Sequence, residues 1–136
     1  TGFDNLRREV KYGNNSRIDV LLEMADGRNC YVEVKNVTMR RDLTKGAPVE
    51  FPDGITARGA KHLAELSDMV KEGHRAVMFY LLQRGDADSM AIARDIDPTY
   101  GEALDKARKS GVEVVAFNCK LTPKEINVAK PVEFLG

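Results

Sequence analysis

Two apolar segments separated by a helical pattern constrain the fold of this chain more than any other feature. Residues 75–82 (RAVMFYLL) are almost entirely apolar, which is typical of a strand that is buried on both faces. Pro98 begins a predicted helix that extends to about Ser110 and ends at Gly111. A second apolar segment follows at residues 112–117. Two strands joined through a helix predict parallel neighbours in a sheet.

A predicted β-hairpin precedes this unit. Residues 17–24 alternate between polar and apolar side chains, and residues 30–37 form a second predicted strand. Because the hairpin is antiparallel and the later strands are parallel, the sequence predicts an α/β fold with a mixed central sheet flanked by helices. The remaining predictions are a short amphipathic helix at residues 3–12, a long loop at residues 38–55, a helix at residues 56–72 and an edge strand at residues 125–129.

Two acidic residues and a lysine lie on one face of the predicted hairpin. Glu33 and Lys35 are two residues apart on a strand, so they share a face. We expect Val32 and Val34 to face the core on the opposite side. Asp19 lies on the non-core face of the preceding strand.

The length of the turn decides whether the two carboxylates meet. A three-residue loop at residues 25–27, with Gly27 in the left-handed conformation, pairs Asp19 directly with Glu33. A two-residue Asp26-Gly27 turn pairs Asp19 with Val34 instead and separates the acids. The longer loop is favoured because it directs both apolar stripes to one core. Two opposed carboxylates repel each other unless a divalent cation lies between them.

Bulk composition excludes some classes of protein and leaves nucleic-acid binding unsupported. The chain has 136 residues, enough for one domain, and no apolar run long enough to span a membrane. Its formal net charge is +0, whereas proteins that depend on phosphate contacts usually have a basic excess. Cys30 and Cys119 are interpreted as buried thiols, which fits a cytoplasmic protein. Because Thr1-Gly2-Phe3 opens directly onto a patterned segment, the chain is interpreted as a fragment.

Several ordered motifs resemble the sugar fermentation stimulation protein A family. They are Ser16-Arg17-Ile18-Asp19, Tyr31-Val32-Glu33-Val34-Lys35-Asn36-Val37-Thr38, Phe51-Pro52-Asp53, Thr56-Ala57-Arg58-Gly59-Ala60-Lys61-His62-Leu63, Gly73-His74-Arg75-Ala76, Gln83-Arg84, Ile96-Asp97-Pro98-x-Tyr100 and Gly111-Val112-Glu113. The resemblance implies a restriction-endonuclease-like PD-(D/E)XK domain over residues 1–136, without the OB-like domain that precedes it in the family. It also implies DNA binding and a role in regulating sugar metabolism, notably that of maltose.

The resemblance assigns roles to individual residues. The nuclease-fold pattern carries over onto Asp19, Glu33 and Lys35 as catalytic residues, with Mg²⁺ or Mn²⁺ as the implied cofactor. The main-chain carbonyl of Val34 and the carboxylate of Glu9, on the predicted first helix, are implied as further metal ligands. Three features depart from the family pattern: Ile18 in place of the expected proline, an apparently longer segment between residues 38 and 51, and Gly54 after Asp53.

Basic and polar residues outside this constellation are candidates for contacts with double-stranded DNA. They are Arg40 and Arg41 in the long loop, Arg58 and Lys61 at the start of a helix, and Gln83 and Arg84 at the end of a buried strand. Solvated loop residues and end-of-strand caps are the alternative interpretations. His62 alone is interpreted as a packed or surface histidine rather than a base.

Three functions remain open from the sequence. The first is a DNA-binding regulator that keeps the nuclease fold, and the second is an active Mg²⁺- or Mn²⁺-dependent nuclease. The third is a metabolic regulator that acts through a partner other than nucleic acid. Aromatic residues make up only 7% and tryptophan is absent, which argues against carbohydrate stacking.

Overall fold

A six-stranded mixed sheet carries two helices on one of its faces. The computed structural model describes the backbone of residues 3–12, 16–24, 27–41, 47–83, 88–121 and 126–136, and the side chains of Leu21 and of residues 27–41, 47–83, 88–119 and 131–136. The elements in chain order are β1 (Phe3–Tyr12), β2 (Ser16–Met24), β3 (Asn29–Val37), β4 (Val49–Phe51), α1 (Ala57–Lys71), β5 (Arg75–Leu82), β6 (Ser89–Ile92), α2 (Pro98–Ser110), β7 (Glu113–Leu121), β8 (Ile126–Pro131) and β9 (Glu133–Phe134).

The strand order β1-β2-β3-β5-β7-β8 combines two kinds of pairing, as the sequence predicts. β1, β2 and β3 are antiparallel neighbours, β3, β5 and β7 are parallel, and β8 is antiparallel to β7 at the edge. Two successive crossovers advance the sheet in one direction, and right-handed crossovers of this kind place both helices on the same face. The helices pack against each other as well as on the sheet.

The prediction of a helix at residues 3–12 is wrong, because this segment is strand β1. It pairs with β2 in a register that joins Val10 to Ile18 and Arg8 to Val20. Phe3, Leu6 and Val10 fit a helical stripe, whereas Leu6, Val10 and Tyr12 fit a period of two. An isolated helix of this length is marginal in water, so ladder hydrogen bonds to β2 decide the conformation.

The long loop predicted at residues 38–55 contains a short strand instead. β4 pairs in parallel with β6, which in turn pairs with β9, and these three form a second small sheet. Phe51 packs its ring against Tyr80 and Tyr100, at centroid distances of 5.6 and 5.3 Å. The small sheet therefore closes one end of the core formed by the main sheet and the helices.

The helix-covered face of the sheet carries Glu33, contrary to the expectation that Val32 and Val34 face the core. Tyr31, Glu33 and Val37 pair with Ala76, Met78 and Leu82 of β5, and all three of these β5 residues belong to the buried core. Val32 and Val34 are only half-buried. Alternation correctly placed Glu33 opposite the valines, but the helices cover the side that bears the acid.

Both predicted helices are confirmed, with their terminal residues in capping roles. Gly59 N donates to Thr56 Oγ1 at 2.9 Å at the start of α1, and Gly111 ends α2 with φ of 112°. Tyr100 N donates to Asp97 Oδ1 at 3.1 Å, and Thr56 N donates to Asp97 Oδ2 at 2.8 Å. Asp97 therefore ties the beginnings of the two helices together.

Replacement of Asp97 by alanine should destabilise the fold by about 1–3 kcal/mol, because it removes the cap of α2 and leaves the part-buried N–H of Thr56 without its acceptor. Asp97 is only 3% exposed. Chemical denaturation of Asp97→Ala and of a control, Asp53→Ala, checks this prediction. Asp53 is exposed, so a change within about 0.5 kcal/mol is expected for the control. Equal stabilities of the two variants would contradict the assigned role of Asp97.

Two further expectations concern the thiols and the membrane. Cys30 and Cys119 are buried and form no disulfide, as predicted. Burial raises the pKa of each thiol above its ordinary value. Among the described residues, no helix has the length and apolar character needed to cross a membrane.

Candidate functional site

The register of the β2–β3 hairpin is the one that a three-residue loop predicts. Leu21 pairs with Tyr31 and Glu23 pairs with Asn29, as a three-residue loop predicts, and Gly27 has a positive φ of 88°. Continued by one residue beyond the pair Val20–Val32, this register brings Asp19 level with Glu33. The side chain of Asp19 lies outside the described residues, so its placement rests on the backbone.

Glu9 occupies the next position in the same row. On β1 it lies between Arg8, which pairs with Val20, and Val10, which pairs with Ile18, and is therefore level with Asp19. The predicted helical setting of Glu9 is wrong, and its side chain also lies outside the described residues. These registers put Glu9, Asp19 and Glu33 at corresponding backbone positions of β1, β2 and β3. The three positions are called the acidic row.

Glu33, Lys35 and His62 are in contact beneath α1. Glu33 Oε1 lies 3.1 Å from His62 Nδ1 and 3.4 Å from Lys35 Nζ. The third side of this triangle, from Lys35 Nζ to His62 Nδ1, is 3.4 Å. The side chains of Glu33 and His62 are 3% and 6% exposed, and that of Lys35 is 19% exposed. A buried carboxylate needs polar partners, and the other two residues supply them.

A pair of buried tyrosines lies on the α2 side of this triangle. Tyr80, which pairs with Lys35 across β3 and β5, has its hydroxyl 2.6 Å from that of Tyr100. Burial raises the pKa of both phenols, and the charge of Glu33 contributes to the increase at Tyr100. Both phenols therefore stay neutral at ordinary pH, and Tyr100 is near enough to Glu33 to feel its charge.

The donor set on the row suits a hard divalent cation. Among the side chains that the structure describes, no three of His, Cys, Asp and Glu are arranged as a metal site. The acidic row adds Asp19 and Glu9 to Glu33 through the backbone register alone. Carboxylate oxygens are the ligands that Mg²⁺ and Ca²⁺ take, so the residues present fit such an ion.

Two of the predicted DNA-contact residues, Arg41 and Gln83, form ion pairs or hydrogen bonds with other side chains of the protein. Arg41 forms ion pairs with Glu50 and Asp95 at N–O distances of 2.5 and 2.6 Å, and its guanidinium lowers the pKa of Asp95 to about 2. Gln83 Nε2 donates to Asn36 Oδ1 at 2.8 Å. The side chains of both therefore have protein partners at the positions where DNA contacts were predicted.

Two of the predicted DNA-contact residues lie on the exposed side of α1. Arg58 and Lys61 are exposed in its first two turns, on the helix that carries His62. Lys61 Nζ is 3.9 Å from Glu65 Oε1. Arg40 is half-buried, and Arg84 lies outside the described residues. Arg58 and Lys61 are therefore the cations best placed to meet a ligand that reaches the acidic row from the start of α1.

His62 is the residue of this site that the sequence interpretation undervalued. It falls on the apolar stripe of α1 together with Leu63, Leu66 and Met69, and all four are buried. A histidine on a buried stripe needs a polar partner, which is the signal that the sequence contained. The partner, Glu33, is distant in sequence, and only the β3–α1 crossover brings the two together.

The fold and the site define a mixed α/β domain whose helix-covered face carries the buried Glu33 in contact with His62 and Lys35. A family model described as "Sugar fermentation stimulation protein RE domain" matches residues 1–125. The chain belongs to the sugar fermentation stimulation protein (SfsA) family, which confirms the resemblance drawn from its motifs.

Individual relatives agree with this assignment. The sugar fermentation stimulation protein homologs of Rhodospirillum rubrum and Rhodospirillum centenum are 54% and 56% identical to it, over 90% and 93% of this chain and 53% of each relative. The structure of Pyrococcus furiosus SfsA in complex with Ca²⁺ is similar, with a TM-score of 0.82, 27% identity, and coverage of 94% of this chain and 53% of that one. The chain spans about half the length of the relatives that it matches.

Proposed function

We propose that this chain binds double-stranded DNA in a divalent-cation-dependent manner, with Mg²⁺ or Mn²⁺ held at the acidic row. The observation that supports this proposal is the hairpin register, whose last pair, Val20 and Val32, leaves Asp19 and Glu33 at the next positions along β2 and β3. Glu9 is level with them on β1. Three neighbouring carboxylates repel each other, and a bound divalent cation would offset that repulsion. The same cation could also coordinate a phosphate oxygen of DNA.

The likeness to a Ca²⁺-bound relative supports the cation, but not its identity in this chain. Pyrococcus furiosus SfsA was solved in complex with Ca²⁺. Asp19 and Glu33 would be the principal ligands, with the carbonyl of Val34 and the carboxylate of Glu9 as further ones. When bound, the ion would polarise a phosphate and lower the pKa of a coordinated water.

Binding of a DNA duplex with and without the cation tests this function. Fluorescence anisotropy of a labelled duplex should show binding in Ca²⁺ that weakens steeply with salt and is much reduced in EDTA. Equal affinity in both conditions would contradict a role for the cation. The chain carries no net charge, so the DNA affinity has to come from local groups at the site.

Loss of Arg58 or Lys61 should weaken DNA binding and flatten its salt dependence. Each phosphate contact contributes about 0.9 to the slope of log affinity against log salt, so Arg58→Ala and Lys61→Ala should each lower the slope by about 1. Lys109→Ala is the control, because Lys109 lies with Lys71 at the opposite end of the helical layer. The length of α1 between positions 58 and 71 is about 20 Å, beyond the Debye length. Equal slopes for all three variants would contradict the proposal that Arg58 and Lys61 contact DNA phosphates.

Phosphodiester cleavage is a second candidate function, favoured by the position of Lys35. Its ammonium lies beside Glu33 while its side chain keeps 19% of its surface exposed. An ammonium with three donors can contact the carboxylate and still orient a water or stabilise charge that develops on a phosphate. Cleavage of plasmid DNA in Mn²⁺ that Lys35→Met removes, with DNA affinity retained, is the expected result. DNA binding by the wild type without any nicking would contradict cleavage and favour a DNA-binding regulator.

A further inference from the structure

We propose that His62 is a positioning residue, whose Nδ1–H holds Glu33 in the orientation that receives a cation and keeps Lys35 from pairing fully with that carboxylate. This inference rests on the proposed cation site. His62 does not contact the ion in this account, and it acts through Glu33 and Lys35.

The backbone of α1 fixes His62 in place. Thr56 caps the helix, and Gly59 lies so close to its neighbours that an added Cβ would be 2.9 Å from Thr56 and 3.0 Å from Tyr100. The start of α1 is therefore pressed against α2 without room for a side chain at position 59. His62 follows within one turn and is 5% exposed, so its imidazole is confined above β3.

The distances within the triangle indicate which contact dominates. His62 Nδ1 to Glu33 Oε1, at 3.1 Å, is shorter than either contact of Lys35, at 3.4 Å. An ionised carboxylate only accepts hydrogen bonds, so the short contact requires a proton on Nδ1. With Nδ1 protonated, His62 cannot accept a hydrogen bond from Lys35 through that atom. Lys35 then keeps N–H groups for a further acceptor.

Removal of the imidazole should allow Lys35 and Glu33 to pair closely. Each would then reduce the charge that the other offers, since the ammonium would occupy the carboxylate oxygen that His62 now holds. Groups that orient metal-binding side chains typically contribute 10–100-fold to metal affinity or activity. His62→Leu should therefore weaken Mn²⁺ binding by about 10–100-fold.

Calorimetric titration of Mn²⁺ into the 136-residue chain tests this inference through four proteins. They are the wild type, His62→Leu, His62→Asn and His74→Leu. Asparagine restores an N–H donor near the position of Nδ1 and should retain most of the affinity. His74 is the matched control, because its Nδ1 accepts from Asn29 N at 3.2 Å and it packs on Tyr31. His74→Leu should bind Mn²⁺ as the wild type does.

The outcomes separate this inference from the function beneath it. Wild-type affinity in His62→Leu would overturn the positioning role while leaving the cation site intact. An absence of Mn²⁺ binding in the wild type would overturn the proposed site, and the positioning role with it. Weakened binding in His62→Leu, rescued in His62→Asn, is the result that the geometry predicts.

A measurement on the unmodified chain covers the case in which His62 variants do not fold. The imidazole ¹⁵N shifts of the two histidines report which ring nitrogen carries a proton. A protonated Nδ1 at His62, whose shift responds to added Ca²⁺ while that of His74 does not, supports the inference. An unprotonated Nδ1 at His62 would overturn it.

Discussion

Replacement of Glu33 by glutamine should lower the proposed Mn²⁺-dependent nicking of plasmid DNA by about 10²–10³-fold, the range found when one preorganised electrostatic group at a transition state is removed. Glu33 lies under α1 at 3% exposure, in contact with both His62 and Lys35. An amide of the same shape removes the negative charge and changes the packing little. The effect should therefore fall on cation binding and chemistry rather than on folding.

Glu113→Gln is the matched control for this substitution. Glu113 is half-buried on β7 and pairs with Arg75, at 2.8 Å for the Oε1 contact. The guanidinium of Arg75 lowers its pKa, so it is an ordinary structural ion pair away from the acidic row. Glu113→Gln should nick at the wild-type rate. Nicking by the wild type that Glu33→Gln retains in full would exclude Glu33 from the chemistry.

Truncation of Leu63 to alanine should cost about 2–5 kcal/mol of unfolding free energy, because the side chain is buried completely and the cavity cannot close fully. Leu63 is 0% exposed and belongs to the core that α1 and α2 share with the sheet. It follows His62 directly, so a shift of α1 into the cavity would also displace the imidazole from Glu33.

Urea denaturation measures this effect, with Leu135→Ala as the control. Leu135 is 50% exposed, so the same substitution there should change the unfolding free energy by no more than about 0.5 kcal/mol. The midpoint of Leu63→Ala should fall while the slope of free energy against urea stays constant. A loss below about 1 kcal/mol at Leu63 would mean that α1 is not packed as described.

The parts of the fold that the sequence predicted correctly are those set by local patterns. Thr56 and Gly73 bracket α1, Pro98 and Gly111 bracket α2, and a left-handed Gly27 accompanies the register of the hairpin. Each depends on side chains within a few residues of the boundary. These signals do not require knowledge of the neighbouring strand.

The elements that the sequence did not predict depend on distant partners. β4, β6 and β9 have three, four and two residues, too few to show a period, and they pair with one another in the second small sheet. β1 was interpreted as a helix because its pattern fits both periods, and β2 resolves the choice.

The sequence also could not predict which face of the β2–β3 hairpin the helices cover. Alternation separated Glu33 from Val32 and Val34, but both faces carry apolar residues. Only the position of α1 decides which face is buried. The buried Leu21 and Val37 on the side of Glu33 were the available signal, and the prediction gave more weight to the valines.

We propose that Asp19 and Glu33 hold one divalent cation between them. Calorimetric titration of Mn²⁺ into the wild type and Asp19→Asn tests it most directly, because both carboxylates lie within this chain and the titration requires no DNA. We expect saturable binding of one ion in the wild type and none in Asp19→Asn, with both proteins equally folded. Equal binding by the two proteins, or no binding by the wild type, would contradict the account.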